Sequence, residues 1–370
     1  MQNNSLKKEN KKEKLIKKTY EYYNEISISY IIKNIINYSL YFLPIENIDI
    51  VELNINYKEL IDKINDDYVL VEYNNINTIS LLDYINSKEK TNKETNSKEI
   101  NREIIKIIES YKLILENIEI LLLNKLVHYD LLENNIVYNV NSNNFLLCNF
   151  KKTILINNIE KTNKYLKYYF KSLDAKIYPL EIYIIENILE NNNDLDREID
   201  REVDNKNINI LNKDSENDKE IENKKLIFDI NKIYNNYIKK YIKYISNLTI
   251  IGDNNYINNY KIECKKVLKK YLKVSHKDIL FDLKQNYIYW DIFSINLLFL
   301  QIINIFITNN DTNINNTNIN NTNINNSFEI LILFSQLLIK NLSTDSEKRL
   351  SIRQIFNYID NIFIYIGKKT

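Results

Sequence analysis

The stretch that decides how this chain is read runs over residues 102–150, REIIKIIESYKLILENIEILLLNKLVHYDLLENNIVYNVNSNNFLLCNF. Ile104, Ile107, Ile108, Tyr111, Leu115, Ile118, Leu122 and Leu126 recur every three to four positions, so the spacing predicts a long amphipathic helix with one apolar stripe. A polar loop follows from His128 to Asn135. Two β-rich runs come next, Ile136 to Val140 and Phe145 to Phe150, joined by the turn-forming Asn141-Ser142-Asn143-Asn144. A helix, a loop holding a His and an Asp, and a hairpin ending in Cys148-Asn149-Phe150 is a compact arrangement of polar residues on regular elements.

Outward from this centre, composition limits the chemistry. The 370 residues carry 50 Lys+Arg against 49 Asp+Glu, a net charge of +1, which argues against nucleic-acid binding through bulk charge. A local patch is not excluded by that balance. Only 2 residues are glycine, so glycine-rich phosphate loops, dinucleotide fingerprints and nucleophile elbows are excluded. The abundance of Asn, Ile, Lys and Tyr follows A/T-rich codons and says nothing of function. Cys148 and Cys264 cannot build a disulfide framework, and Met1 to Lys18 is polar and Lys-rich, unlike a signal peptide. An intracellular, most simply cytoplasmic, protein is expected. The longest apolar stretch, Ile292 to Ile307, is interrupted by Asn296, Gln301 and Asn304 and falls short of the roughly 20 residues of a spanning helix, so it is expected to be a buried core helix.

Residues 1–18 read as a basic disordered tail, Ile26 to Ile36 as β-rich, and Tyr68 to Tyr73 as a short buried strand. Residues 191–225 are charged, Asn-rich and of low complexity, and Thr-Asn-Ile-Asn-Asn repeats in succession from Thr312 to Asn326, which reads as a disordered insertion. Ile227 to Leu283 has helical periodicity, and Phe328 to Ile366 looks like two helices around a polar turn at Ser343 to Lys348.

Taken in order, these pieces resemble the protein kinase family. His128-Tyr129-Asp130-Leu131-Leu132-Glu133-Asn134-Asn135 is similar to the catalytic loop, with its Asp and, five positions on, its Asn. Cys148-Asn149-Phe150 stands at the metal-binding Asp-Phe-Gly motif, nineteen positions after Asp130 (149 − 130). Pro179-Leu180-Glu181 resembles Ala-Pro-Glu, Trp290-Asp291-Ile292 the start of the buried central helix, and Asp345 to Ser351 the closing pattern whose Arg349 would pair with Glu181. Upstream, Tyr68 to Tyr73 resembles the strand entering the hinge, and Tyr30-Ile31-Ile32-Lys33 the strand bearing a phosphate-binding lysine.

The resemblance implies a two-lobed α+β kinase-like fold. Residues 19–73 would form a reduced β-rich N-lobe with the hinge. Residues 74–370 would form a mainly helical C-lobe, interrupted by insertions at 186–285 and 308–327. It also implies roles. Asp130 takes the position of the base and Asn135 that of a metal ligand, with Asn149 a degenerate second one. Lys33 would contact phosphates, Val71 would be the gatekeeper, and Glu72 and Asn74 would line the hinge. His128, Phe150, Glu181, Asp291 and Arg349 would be structural.

The departures weigh against turnover. Asn149 replaces the metal-binding Asp, although Mg²⁺ favours carboxylates. Leu132 replaces the catalytic-loop Lys, Tyr129 replaces the Arg that answers a phosphorylated loop, and no glycine precedes Lys33. Glu46 is the nearest acidic candidate to pair with Lys33. The reading is a pseudokinase that acts as a scaffold or allosteric partner, its cofactors ATP and Mg²⁺ bound weakly or not at all. Its partners would be proteins, with no nucleic acid and no transmembrane segment. The alternatives are a divergent active Ser/Thr protein kinase and a small-molecule kinase of the choline or aminoglycoside type.

Overall fold

The computed structural model describes residues 11–17, 20–49, 68–74, 76–87, 96–156, 177–189, 230–246, 248, 254–272, 274–316 and 322–369. The low-complexity stretch at 191–225 lies outside them. The architecture is α+β, mainly helical with small sheets. The chain divides into two compact units, one built from residues 1–157, 291–341 and 350–370, the other from 158–290 and 342–349.

The first unit opens with a three-stranded antiparallel sheet in the order β1-β4-β3, from β1 (Lys11–Lys17), β3 (Ile45–Asp49) and β4 (Tyr68–Asn74). The expected disordered tail is corrected here: β1 pairs residue for residue with β4, from Lys11 opposite Asn74 to Lys17 opposite Tyr68. Charged residues are common on such edge strands because they discourage further pairing, which is how a strand comes to look like a solvated tail.

Helix α1 (Tyr20–Lys33) overturns the second local expectation, that Ile26 to Ile36 is β-rich and that Lys33 sits on a strand. Tyr22, Glu25, Ile28, Ser29 and Ile32 are buried, a helical stripe, while Tyr23 and Tyr30 face solvent. Packing of Tyr22 and Ile26 against Ile45, Val71 and Tyr73 outweighs the small helix penalty of the β-branched residues.

A second sheet has the order β2-β8-β7-β5, comprising β2 (Phe42–Leu43), β5 (Thr78–Ser80), β7 (Ile136–Asn139) and β8 (Asn144–Cys148). Strand β2 runs parallel to β8, and the other pairs are antiparallel. Ser80 caps α2 (Leu81–Asn86) by accepting the Asp83 N–H at 3.0 Å. The 28-residue α3 (Asn96–Leu123) carries the predicted apolar stripe into the core. Its Tyr111 hydroxyl donates to Asn296 Oδ1 at 3.0 Å, and its Asn117 amide donates to the Phe145 carbonyl at 2.8 Å. Strands β6 (Leu126–Val127) and β9 (Ile154–Leu155) close a small antiparallel pair around the His128–Asn135 loop.

In a chain with 2 glycines, tight turns fall to other residues. Among the described residues, positive φ occurs at Asn37, Lys125, Tyr129, Asn143 and Asn149, so asparagine takes three of the five.

Three later helices complete this unit, α8 (Trp290–Asn316, from Asp291 onward), α9 (Thr322–Lys340) and α10 (Ile352–Lys369). The repeat expected to be a disordered insertion is helical at both ends, because α8 runs on through Asn316 and α9 begins at Thr322. Once a strongly apolar helix is nucleated, adding one residue is cheap even for Asn and Thr. Ile292, Phe293, Ile295 and Phe299 of α8 are buried. Among the described residues, one helical stretch, Asp278–Asn309, is long and apolar enough to cross a membrane, and 72% of its most apolar window is buried inside the fold.

The second unit holds a helix over residues 180–189 (α4), then α5 (Ile230–Ile245), α6 (Asn254–Lys270) and α7 (His276–Gln285). Helices α5 and α6 meet through tyrosines: Tyr241 stacks on Tyr260 with ring centroids 3.9 Å apart, and the hydroxyls of Tyr237 and Tyr260 share a hydrogen bond. Tyr260 then donates to the Leu342 carbonyl at 3.1 Å. Glu263 accepts from Ser343 Oγ at 3.0 Å, Thr344 N at 3.1 Å and Thr344 Oγ1 at 3.0 Å, and pairs with Lys348. The described residues of the helical stretch read from Ile227 to Leu283 thus form helices of this unit.

Glu263 makes this contact pH-dependent. Burial alone would raise its pKa, yet the donors of Lys348, Ser343 and Thr344 outweigh burial and hold it below its ordinary value of 4.5. A depressed folded-state pKa contributes stability that is complete above the ordinary value and lost as pH falls through the folded one. Urea midpoints of the wild type and Glu263→Gln should therefore differ at about pH 6 and draw together as the pH falls below the ordinary carboxylate range. A gap that persists at the acidic end would refute this account.

Candidate functional site

The polar residues of the His128–Asn135 loop and of the β8 end converge within the first unit. Asp291, fully buried in the first turn of α8, organises the loop: its Oδ2 accepts the His128 N–H at 2.6 Å and its Oδ1 the Tyr129 N–H at 2.8 Å. Those bonds hold Tyr129 at φ 64°. His128 is buried, with Nε2 3.0 Å from the Cys148 carbonyl and its ring 5.2 Å from that of Phe150. Phe150 also meets Phe42 edge-on at 6.2 Å. The loop and the β8 end are thereby tied together by a carboxylate, an imidazole and an aromatic contact.

Three side chains then form one hydrogen-bonded chain. Asn149, itself at φ 64°, donates its amide to Asn135 Oδ1 at 2.9 Å. Asn135 in turn donates to the Asp130 carbonyl at 2.6 Å and lies 3.4 Å from Asp130 Oδ2. A divalent cation requires converging oxygens, chiefly carboxylates. Here Asn149 turns an N–H toward the neighbouring oxygen, and Asp130 is the one carboxylate in the chain of bonds. Among the described residues, no group of three or more His, Cys, Asp or Glu side chains is arranged to hold a metal ion. These residues do not fit Mg²⁺. Leu132 is 42% exposed and supplies no charge to the site.

The residues assigned to nucleotide binding by resemblance make bonds of their own. Lys33 ends α1 and donates to the Glu46 carbonyl, with its amino group 3.6 Å from Glu46 Oε2. The Asn74 amide reaches Glu46 Oε1 at 2.7 Å, and Tyr38 donates to the same carboxylate at 3.2 Å. Glu46 can collect these partners because the β3–β4 register shifts between Ile45 and Asn47, and a bulge re-aims its residue. The nearest acidic candidate for Lys33 is therefore its partner, and the lysine stands at the end of a helix rather than on a strand. Val71 is fully buried against Tyr22 and Ile45, and Glu72 accepts from Asn47 at 2.9 Å.

Sequence reasoning missed Glu25. It is buried on the inner face of α1 and accepts from the Tyr73 hydroxyl at 3.5 Å. Burial, followed by the field of Glu25, pushes the Cys148 thiol up to about 12, so this cysteine is no nucleophile at neutral pH. By register, Lys12 and Lys14 of β1 stand opposite Tyr73 and Val71, the β4 residues that line the α1 side. Asn24 adds a further tie, its amide donating to the carbonyls of Lys151 at 2.8 Å and Thr153 at 2.9 Å.

In the second unit, Glu181 and Arg349 form a buried ion pair at 2.8 Å, with a further bond from Arg349 Nη2 to Glu181 Oε2 at 3.0 Å. Arg349 Nε donates to the Ser343 carbonyl at 2.8 Å.

No protein-family model matches this chain, and no curated protein matches it either.

Proposed function

We propose that this chain is a pseudokinase, a two-lobed protein-kinase-like protein that serves as a scaffold or allosteric partner and binds ATP weakly or not at all. The observation that carries the functional half is the chain of bonds from Asn149 through Asn135 to Asp130, in which groups at cation-binding positions satisfy one another. The kinase-like half is supported by the order of elements. Helix α1 follows the first strand of the sheet β1-β4-β3 and precedes its other two, a long helix leads into the His128–Asn135 loop, and a hairpin runs up to Asn149. The Asp291 bonds to the loop and the Glu181–Arg349 pair agree with the same reading.

Thermal melting with ATP, with and without Mg²⁺ or Mn²⁺, tests it. A ligand that binds only the folded state stabilises by RT ln(1 + [L]/Kd), so millimolar ligand exposes even poor sites. The expected result is no metal-dependent shift, and none gained in Asn149→Asp large enough to accompany phosphoryl transfer, because Leu132 and the missing glycine loop remain. A metal-dependent shift in the wild type, with transfer abolished in Asp130→Ala, would instead establish the active Ser/Thr kinase.

A further inference from the structure

The balanced total charge conceals a local excess. Residues 230–273 contain ten lysines and two acidic residues, Asp253 and Glu263, a formal +8 within a chain of net +1. At the overall frequency of 49 acidic residues in 370, a stretch of 44 would carry about six. A/T-rich codons enrich lysine throughout but do not remove acids from one region. The described part of this stretch is the α5–α6 hairpin, held rigid by the stacked tyrosines.

Helical geometry sorts the lysines onto the solvent faces. On α5, Ile233, Tyr237, Tyr241 and Ile245 are buried, and Lys239 and Lys243, one turn apart, are exposed on the other side with Asn235 and Asn236. On α6, Tyr260, Cys264, Val267 and Leu268 point inward, and Lys265, Lys266 and Lys269 are exposed. Lys265 Nζ lies 4.8 Å over the ring of Tyr234, which shares the side of α5 that carries Ile233 and Tyr237, so this lysine stands at the α5–α6 seam. Glu263, the acidic residue of α6, is turned to the Ser343–Lys348 turn. The acids Asp278, Asp282 and Asp345 gather instead around a separate cavity of about 410 Å³ on the Lys270 side. Like charges one turn apart cost an isolated helix a few tenths of a kcal/mol per pair, so such rows are not expected from helix propensity alone.

We propose that the α5–α6 face binds the phosphate backbone of a nucleic acid without reading its bases. Lysine and asparagine side chains donate to phosphate oxygens, and the exposed lysines that recur along the two paired helices suit a regular polyanion. A bilayer would require a row of apolar side chains to insert, whereas Ile262, 66% exposed, is the one large apolar residue bared on these two helices. A protein partner would require an apolar or aromatic anchor seated in a pocket at the centre of the contact, and these faces present Lys and Asn. This inference stands independently of the pseudokinase reading.

Fluorescence anisotropy of the full chain with a labelled RNA duplex of about 20 base pairs tests it, titrated from about 50 mM salt upward. Counterion release by five lysines predicts a log–log salt slope of about −4.5. Lys265→Gln/Lys266→Gln/Lys269→Gln should make the slope shallower by about 3, and Lys239→Gln/Lys243→Gln by about 2, while Lys112→Gln leaves it unchanged. Glutamine keeps helix propensity, and a thermal melt of each variant verifies folding. If the triple variant fails to fold, the double variant decides. Absence of binding at the lowest salt, a slope untouched by these variants, or capture by phosphatidylserine vesicles but not by RNA would overturn the proposal.

Discussion

Asp291→Ala should cost the folded state about 4 kcal/mol, because it strands two buried backbone donors at about 1–3 kcal/mol each. The His128 and Tyr129 N–H groups have their acceptors on this one carboxylate, at 2.6 and 2.8 Å, deep inside the first unit where water cannot replace it. Tyr129 is also held at φ 64°, a conformation that disfavours a side chain and needs external support. Asp291→Asn keeps one acceptor oxygen and should lose about half as much. Urea unfolding of the three proteins gives the ranking wild type, Asn, Ala. An alanine variant as stable as the wild type would remove Asp291 from its organising role.

Arg349→Met should be nearly as damaging, at about 3–5 kcal/mol, because it leaves the Glu181 carboxylate buried without its countercharge. Burial disfavours the charged guanidinium, and the facing Glu181 carboxylate outweighs that and keeps Arg349 protonated. The same substitution frees the Ser343 carbonyl, which Arg349 Nε satisfies at 2.8 Å. The double variant Glu181→Leu/Arg349→Met removes both charges together and should recover much of the loss, since a hydrophobic replacement is often tolerated where a half-broken pair is not. Equal stability losses in the single and double variants would count against this. The two substitutions, in Asp291 and in Arg349, act within separate units, so their effects on unfolding are expected to add.

Much of the helical architecture was legible because its signals are local. The stripe from Ile104 to Leu122, the strand at Tyr68 to Tyr73 and the hairpin around Asn141 to Asn144 each depend on neighbours in sequence, whereas Leu126, read as the end of the stripe, stands on β6. The misreadings share one cause. Ile26 to Ile36 is β-branched, so propensity favoured a strand, yet the spacing of Tyr22, Glu25, Ile28 and Ile32 already matched a helix with something to bury against. Residues 11–17 resembled a tail because they are Lys-rich and their pairing partner, β4, lies more than fifty positions away.

The site divides in the same way. The loop and hairpin that carry His128, Asp130, Asn135 and Asn149 could be read from local signals, while the residues themselves were singled out by their resemblance to a family pattern. Composition was enough to exclude glycine-based phosphate chemistry, and periodicity to lay out the long helices. Where their hydrogen bonds lead was decided by the folded chain. Asn149 turns its amide onto Asn135, Lys33 is claimed by a bulged Glu46, Glu25 is buried beside Cys148, and the lysines of α5 and α6 are left exposed. Each of these depends on residues distant in sequence meeting at a few ångströms, where direction and burial rather than residue type determine which group is satisfied and which charge remains exposed.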